Sequence, residues 1–195
     1  MQFRKAIDHI VNLLRENISD KLTYHNVDHT VGVIDKALEI ARAEGVPADE
    51  RRILLIAAAY HDSGYLETIE NHEEMSCTFA KQLLPQFGFD KKQVDRVCEL
   101  ILETKVPHNP QSQLAKILCD ADMAHIGGKR YQNISQRLFN ELRNLNVDVN
   151  ADIWVERQIE FLENQQFWTE YAQKKYQANK YLVLKNLKHK LVQAG

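Results

Sequence analysis

The stretch Ile53-Leu54-Leu55-Ile56-Ala57-Ala58-Ala59-Tyr60-His61-Asp62 decides the fold. Its first eight residues are the most apolar run in the chain, well short of the roughly 18 apolar residues that a transmembrane helix needs. A helix from Asp49 to about His61 that is apolar all round has to be enclosed by other helices. The His61-Asp62 pair at its end is hard to explain as packing, because a carboxylate is almost never buried unless it is paired or bound to metal.

Outward from this run, seven glycines and four prolines in 195 residues leave few breakpoints. Apolar residues recur at three- and four-residue intervals rather than alternating, which is the helical pattern. A first helix is expected over about 2–17, with Phe3, Ile7, Ile10 and Leu14 on one face. A second begins near His25 and stops at Gly45-Val46-Pro47, a glycine-then-proline stop. Asn71 with Glu74, and Asp90 with Gln93, have capping-box spacing and open helices over about 71–86 and 90–104. Pro107 and Pro110 make 105–111 a loop, and 114–124 reads as a short buried helix carrying Asp120 and Asp122. After the Gly127-Gly128 break, helices are expected over 129–145, 150–166 and about 169–193. The expectation is an all-α, single-domain helical bundle spanning 1–195, with a C-terminal helical extension over about 150–193 that carries no chemical motif. The aromatic residues Phe161, Phe167, Trp168, Tyr171, Tyr176 and Tyr181 are expected in the core or on a homodimer-packing surface.

Lys plus Arg number 25 against 27 Asp plus Glu, a formal charge of -2, so there is no general electrostatic drive toward nucleic acid or an anionic membrane. Cys77, Cys98 and Cys119 show neither a CxxC pair nor zinc-like spacing, and are expected to be reduced and buried. The opening residues lack the apolar segment of a secretory leader, and cytoplasmic residence is the expectation by elimination.

Three short motifs follow in order: His25-x-x-x-His29, His61-Asp62 and Asp120-Ala121-Asp122. Each alone is weak, and a single histidine on a helix is more often a surface or satisfied core residue than a ligand. Residues four apart share a helix face, so His25 and His29 can address one pocket if the helix includes both. Two imidazoles and two carboxylates form a mixed nitrogen and oxygen set suited to a divalent ion among Mn, Mg, Fe, Co, Ni and Zn, rather than a thiolate site. Asp120, two residues from Asp122, should point to another side of its helix and is placed outside the ligand set.

Tyr24-His25-Asn26-x-x-His29-Thr30, Tyr60-His61-Asp62-x-Gly64 and Cys119-Asp120-Ala121-Asp122 together resemble the successive signatures of the HD-domain superfamily of metal-dependent phosphohydrolases. The first motif is also similar to the opening motif of cyclic-nucleotide phosphodiesterase catalytic domains. The resemblance spans about 24–143 and implies metal ligation by His29, His61, Asp62 and Asp122. It implies that Asp62 also orients the attacking water and that His25 protonates the leaving oxygen. Some branches hold a second ion through two more histidines, which here would be His72 and His108; otherwise both are exposed residues. The function implied is hydrolysis of a small phosphorylated metabolite or nucleotide. A di-iron oxygenase on the same scaffold and a non-catalytic nucleotide-sensing module are the alternatives. Candidate phosphate-binding cations are Lys129 and Arg130, behind Gly127-Gly128 at a helix start, and Lys105 near His108; the plainer reading of the first pair is a turn followed by a solvated basic start.

Overall fold

The computed structural model describes residues 1–194. The apolar run becomes the second half of α3 (Ala48–Tyr60), in which every residue from Leu54 to Tyr60 is buried. Pro47 precedes it, and Asp49 and Glu50 lie in its first turn, where carboxylates meet the positive end of the helix. Around α3 pack α1 (Phe3–Asn17), α2 (Val27–Ala43), α4 (His72–Leu83), α5 (Lys91–Leu102) and α6 (Gln113–Asp122). Leu54, Ile56, Leu100, Ile117 and Leu118 are fully enclosed there, each contributing about 1.5–3 kcal/mol of hydrophobic stabilisation. The chain then runs through α7 (Tyr131–Asn144), α8 (Ala151–Asn164) and α9 (Glu170–Ala194). There is no strand among the described residues, and no helix is long and apolar enough to cross a membrane.

Element boundaries follow the sequence signals, with two informative exceptions. Asp90 and Gln93 form the expected capping box at α5. Asn71 instead takes the left-handed conformation (φ 55°) without capping through its side chain, and Glu74 turns away to pair with Lys105. The second exception is His25. Helix α2 starts at Val27 because the Asn26 side chain accepts from the backbone N–H groups of Asp28 and His29. His25 therefore lies before the helix, and shared helical phase with His29 does not place it.

A second apolar cluster, including Ile126, Leu162, Phe167 and Tyr176, joins α8 and α9 to the turn after α6. Phe167 and Tyr176 are thus core residues, whereas Tyr181 is exposed. Gly127 permits this junction: a Cβ there would stand 2.5 Å from the Tyr176 carbonyl oxygen, so α9 lies against bare backbone. Asn179 donates to the Gly127 and Gly128 carbonyls. Asp120 is fully buried and accepts from the Trp168 and Thr169 amides and the Thr169 hydroxyl, so it fastens the entry to α9.

Glu39 ties α2 to the same helix by accepting from Lys175 Nζ and Tyr171 Oη. Partial burial alone would raise its pKa; hydrogen bonds from Lys175, Lys36 and Tyr171 outweigh that and lower it from 4.5 to about 2. A depressed carboxylate pKa stabilises the fold above the unfolded value and loses that contribution as pH falls through the folded one. Glu39→Gln is therefore expected to melt at lower temperature than the parent at neutral pH, with the difference closing as pH falls from 4.5 to about 2. Parallel melts of the two proteins across that range check this, and a constant difference would refute it.

Candidate metal centre

Packing of α2 on α6, and of α3 against both, brings three motifs to one point. His29 lies in the first turn of α2, His61 caps the end of α3, Asp62 follows it, and Asp122 closes α6. His29 Nε2 is 3.2 Å from Asp62 Oδ2 and 3.1 Å from Asp122 Oδ1. His61 Nε2 is 3.1 Å from Asp62 Oδ2 and 3.9 Å from Asp122 Oδ1. One donor atom each from His29, His61 and Asp122 lies within 4.8 Å of the other two. Ligands about 2.0–2.2 Å from one ion stand roughly 3–3.5 Å apart, so the spacing suits a shared ion.

The fit is sharper at the level of single atoms. His29 Nε2, His61 Nε2 and Asp62 Oδ2 are all buried, and none has the alignment of a hydrogen bond. An unsatisfied buried polar atom costs about 1–3 kcal/mol, and three facing one another are explained by a common cation. The His61 ring is oriented for this, since its Nδ1 donates to the Ala58 carbonyl at 2.9 Å and leaves Nε2 free to ligate. Burial opposes charge on His29, yet the Asp122 and Asp62 carboxylates outweigh it and raise its pKa to about 10. Burial likewise works against ionised Asp122, and His29 lowers it to about 2. The acidic side of the cluster thus draws positive charge to its centre.

The turn after His61 is held by buried hydroxyls. Ser76 Oγ donates to the His61 carbonyl at 2.6 Å and accepts from the Gly64 amide at 2.8 Å. Gly64 is obligatory here, because a Cβ would fall 1.9 Å from the His72 carbonyl oxygen. That closeness sets His72 Nε2 3.6 Å from Asp62 Oδ1 and 3.5 Å from Glu73 Oε1. Gly64→Ala is expected to cost about 3 kcal/mol, the upper range for overpacking, and to move His72 off Asp62. Denaturant melts give the first; an unchanged midpoint would contradict it.

Tyr65, on the same turn, is sandwiched between two imidazoles. Its ring stacks on His25 at a centroid distance of 4.6 Å and on His72 at 4.0 Å. His25 is fixed from the other side by Glu141 of α7, a residue the sequence reading did not single out. Glu141 Oε2 accepts from the Tyr24 and His25 amides at 2.7 and 2.9 Å, and Oε1 lies 2.5 Å from His25 Nδ1. Burial would raise the Glu141 pKa, but its hydrogen bonds with His25 and Tyr24 hold it below the ordinary carboxylate value. As an ionised acceptor it requires the proton on Nδ1, which leaves His25 Nε2 for chemistry.

These groups form the floor of a cavity of about 460 Å³, with His25, Asp62, His72, Glu73, Asp122 and His125 at one end. His125 Nδ1 lies 3.0 Å from the Asp122 carbonyl, and burial lowers its pKa to about 4. The opposite wall comes from α7 and α8, including Ile134, Leu138, Trp154, Arg157 and Phe161. The segment beyond 150, which carries no chemical motif, nevertheless lines the cavity through α8.

Four sequence candidates are not brought to the cavity. Both ring nitrogens of His108 are engaged, Nε2 with the Thr104 carbonyl at 3.0 Å and Nδ1 with the Gln165 amide at 3.4 Å. It braces the loop before α6 against the α8–α9 connection, and Glu73 stands beside His72 where His108 was expected. Lys105 is held by Glu74. Lys129 and Arg130 are exposed and do not line the cavity, because the glycines before them serve the α9 junction.

The HD domain family model matches residues 26–126. The chain belongs to the HD-domain family. The match contains His29, His61, Asp62 and Asp122, while His25, Glu141 and the α7–α8 wall lie outside it. The HD fold extends over nearly the whole chain in comparison with a solved structure from an uncultured Thermotogales bacterium, described as a "predicted HD superfamily hydrolase". The two share 27% identity over 96% of this chain and 92% of the other, with a TM-score of 0.61. No curated protein matches this HD-domain chain.

Proposed function

We propose that this protein is a metal-dependent phosphohydrolase acting on a small phosphorylated metabolite or nucleotide. The HD-domain assignment and the hydrolase description of the Thermotogales relative support the hydrolase class. The observation that carries the phosphoester reading is His25, tautomer-fixed by Glu141 at 2.5 Å and facing the cavity beside the carboxylates. A positioned imidazole that carries a proton on the nitrogen facing the cavity can supply the proton that a departing alkoxide or phosphate oxygen takes up.

His29, His61, Asp62 and Asp122 would hold the ion, and Asp62 Oδ1 with His72 and Glu73 marks the position for a second. A bound divalent ion supplies Lewis-acid polarisation of the phosphoryl group and lowers the pKa of water toward about 7. Asp62, with one oxygen toward each position, orients the attacking water. In its imidazolium form, with Glu141 balancing the charge at Nδ1, His25 gives its Nε2 proton to the leaving oxygen and is left as the Nδ1–H tautomer, and Glu141 keeps the ring from rotating away. Tyr65 maintains the separation of His25 and His72.

The test is a screen of phosphorylated metabolites and nucleotides with protein reconstituted in each of Mn, Mg, Fe, Co, Ni and Zn, reading released phosphate or phosphorylated product under anaerobic conditions. Turnover without oxygen is expected. Oxygen consumption by the iron form with no phosphate release would support an oxygenase instead, and tight nucleotide binding without turnover would support a sensor.

A further inference from the structure

We infer that the α7–α8 wall is a subsite for the leaving group of the substrate, and that it takes a flat, largely apolar alcohol bearing a second anionic group. The inference rests on the phosphoester reading above and goes beyond it in naming what the ester carries.

The first support is the phase of α7. Ile134, Leu138 and Glu141 recur at i, i+4 and i+7, which is one helix face. Two of them line the cavity and the third grips His25. The group that His25 protonates on departure is therefore the group lying along Ile134 and Leu138.

The second support is where the polar atoms of the wall go. Trp154 Nε1 donates to Ser135 Oγ at 3.2 Å. Ser135 Oγ and Tyr131 Oη both donate to Gln158 Oε1, at 2.5 and 2.8 Å, and Gln158 Nε2 donates to the Trp154 carbonyl at 3.3 Å. The network is closed on itself. What it presents to the cavity is ring faces and aliphatic groups, which suit a planar apolar body and offer little to the hydroxyls of a sugar or glycerol.

The third support is charge. Arg157 is the one lysine or arginine among the residues lining the cavity, and it has no acidic partner among the described residues. It sits on α8, on the wall away from the metal ligands, so it meets an anionic substituent of the leaving group rather than the scissile phosphate. A volume of about 460 Å³ lies within the range of sites for whole small molecules, roughly 300–1,000 Å³, and leaves room for such a body.

The experiment compares phenyl phosphate, para-carboxyphenyl phosphate and glycerol phosphate as substrates of the metal-reconstituted protein, and measures binding of non-hydrolysable phenylphosphonate by calorimetry. Because a phenol leaves more readily than glycerol, each kcat/KM is divided by the uncatalysed hydrolysis rate of the same ester, and on that scale the aryl esters are expected to exceed glycerol phosphate by about tenfold or more, with the carboxylated ester best. Arg157→Ala is expected to erase the advantage of the carboxylated ester over phenyl phosphate. Leu138→Gln is expected to weaken both aryl esters and phenylphosphonate by a larger factor than it weakens glycerol phosphate. Equal or better use of glycerol phosphate would overturn the subsite while leaving the phosphohydrolase reading intact. If no ester is cleaved and the metabolite and nucleotide screen also gives no product, the phosphohydrolase reading fails by itself. Phenylphosphonate binding that still weakens in Leu138→Gln then supports the wall as a binding surface, and binding indifferent to both variants overturns it.

Discussion

Asp62→Ala protein is expected to lose its divalent ion and at least about 1,000-fold in kcat/KM, the rate equivalent of roughly 4 kcal/mol of transition-state charge stabilisation. The size of the effect follows from the two faces of this carboxylate. Oδ2 stands 3.2 and 3.1 Å from the ring nitrogens of His29 and His61, and Oδ1 stands 3.6 Å from His72. No neighbour can take both places. The backbone around it is secured independently by Ser76 and Gly64, so the variant should keep its helical circular dichroism. Metal analysis after dialysis separates loss of the ion from loss of the fold. A variant with parental metal content and parental rate would remove Asp62 from the centre.

His25→Ala should behave in the opposite way, keeping its metal while kcat falls by about 100- to 10,000-fold, the usual contribution of a positioned acid. The loss should depend on the leaving group. Esters of aliphatic alcohols need the proton and should show all of it, whereas nitrophenyl esters depart without help and should show little. Glu141→Gln tests the arrangement one step removed. It keeps an acceptor near His25 but gives up the ionised partner that requires the proton on Nδ1, and a fall of about 10- to 100-fold is expected, as for other residues that orient a working histidine. Equal losses on aliphatic and nitrophenyl esters would show that His25 binds substrate rather than donating a proton.

Much of this was legible in the sequence because the signals were local. The apolar run 53–60 required enclosure, and enclosure made His61 and Asp62 anomalous; the same reasoning applied to Asp122. Those residues converge. What escaped was set by long-range packing. Nothing near Glu141 distinguishes it from any other acid on an amphipathic helix, and its partner is 116 residues away. Near His25 the spacing led to the right pocket for the wrong reason, since a cap at Asn26 excludes it from α2 and Glu141 supplies the restraint. His108 looked available because it lies between prolines in a loop, and only the docking of the α8–α9 connection reveals that both its nitrogens are engaged. Asp120 was set apart from the candidate ligands by helical phase, and the structure gives the reason for its burial: it anchors α9 while Asp122 faces His29 and His61.

The distance along the chain between His25 and Glu141 also orders events during synthesis, when N-terminal segments fold first. Every proposed ligand precedes residue 126, so the complete candidate ligand set leaves the ribosome while Glu141 is still inside it. In that interval His25 lacks the partner that orients its ring. Hydrolytic competence would therefore arrive as a late step, after α7 has docked.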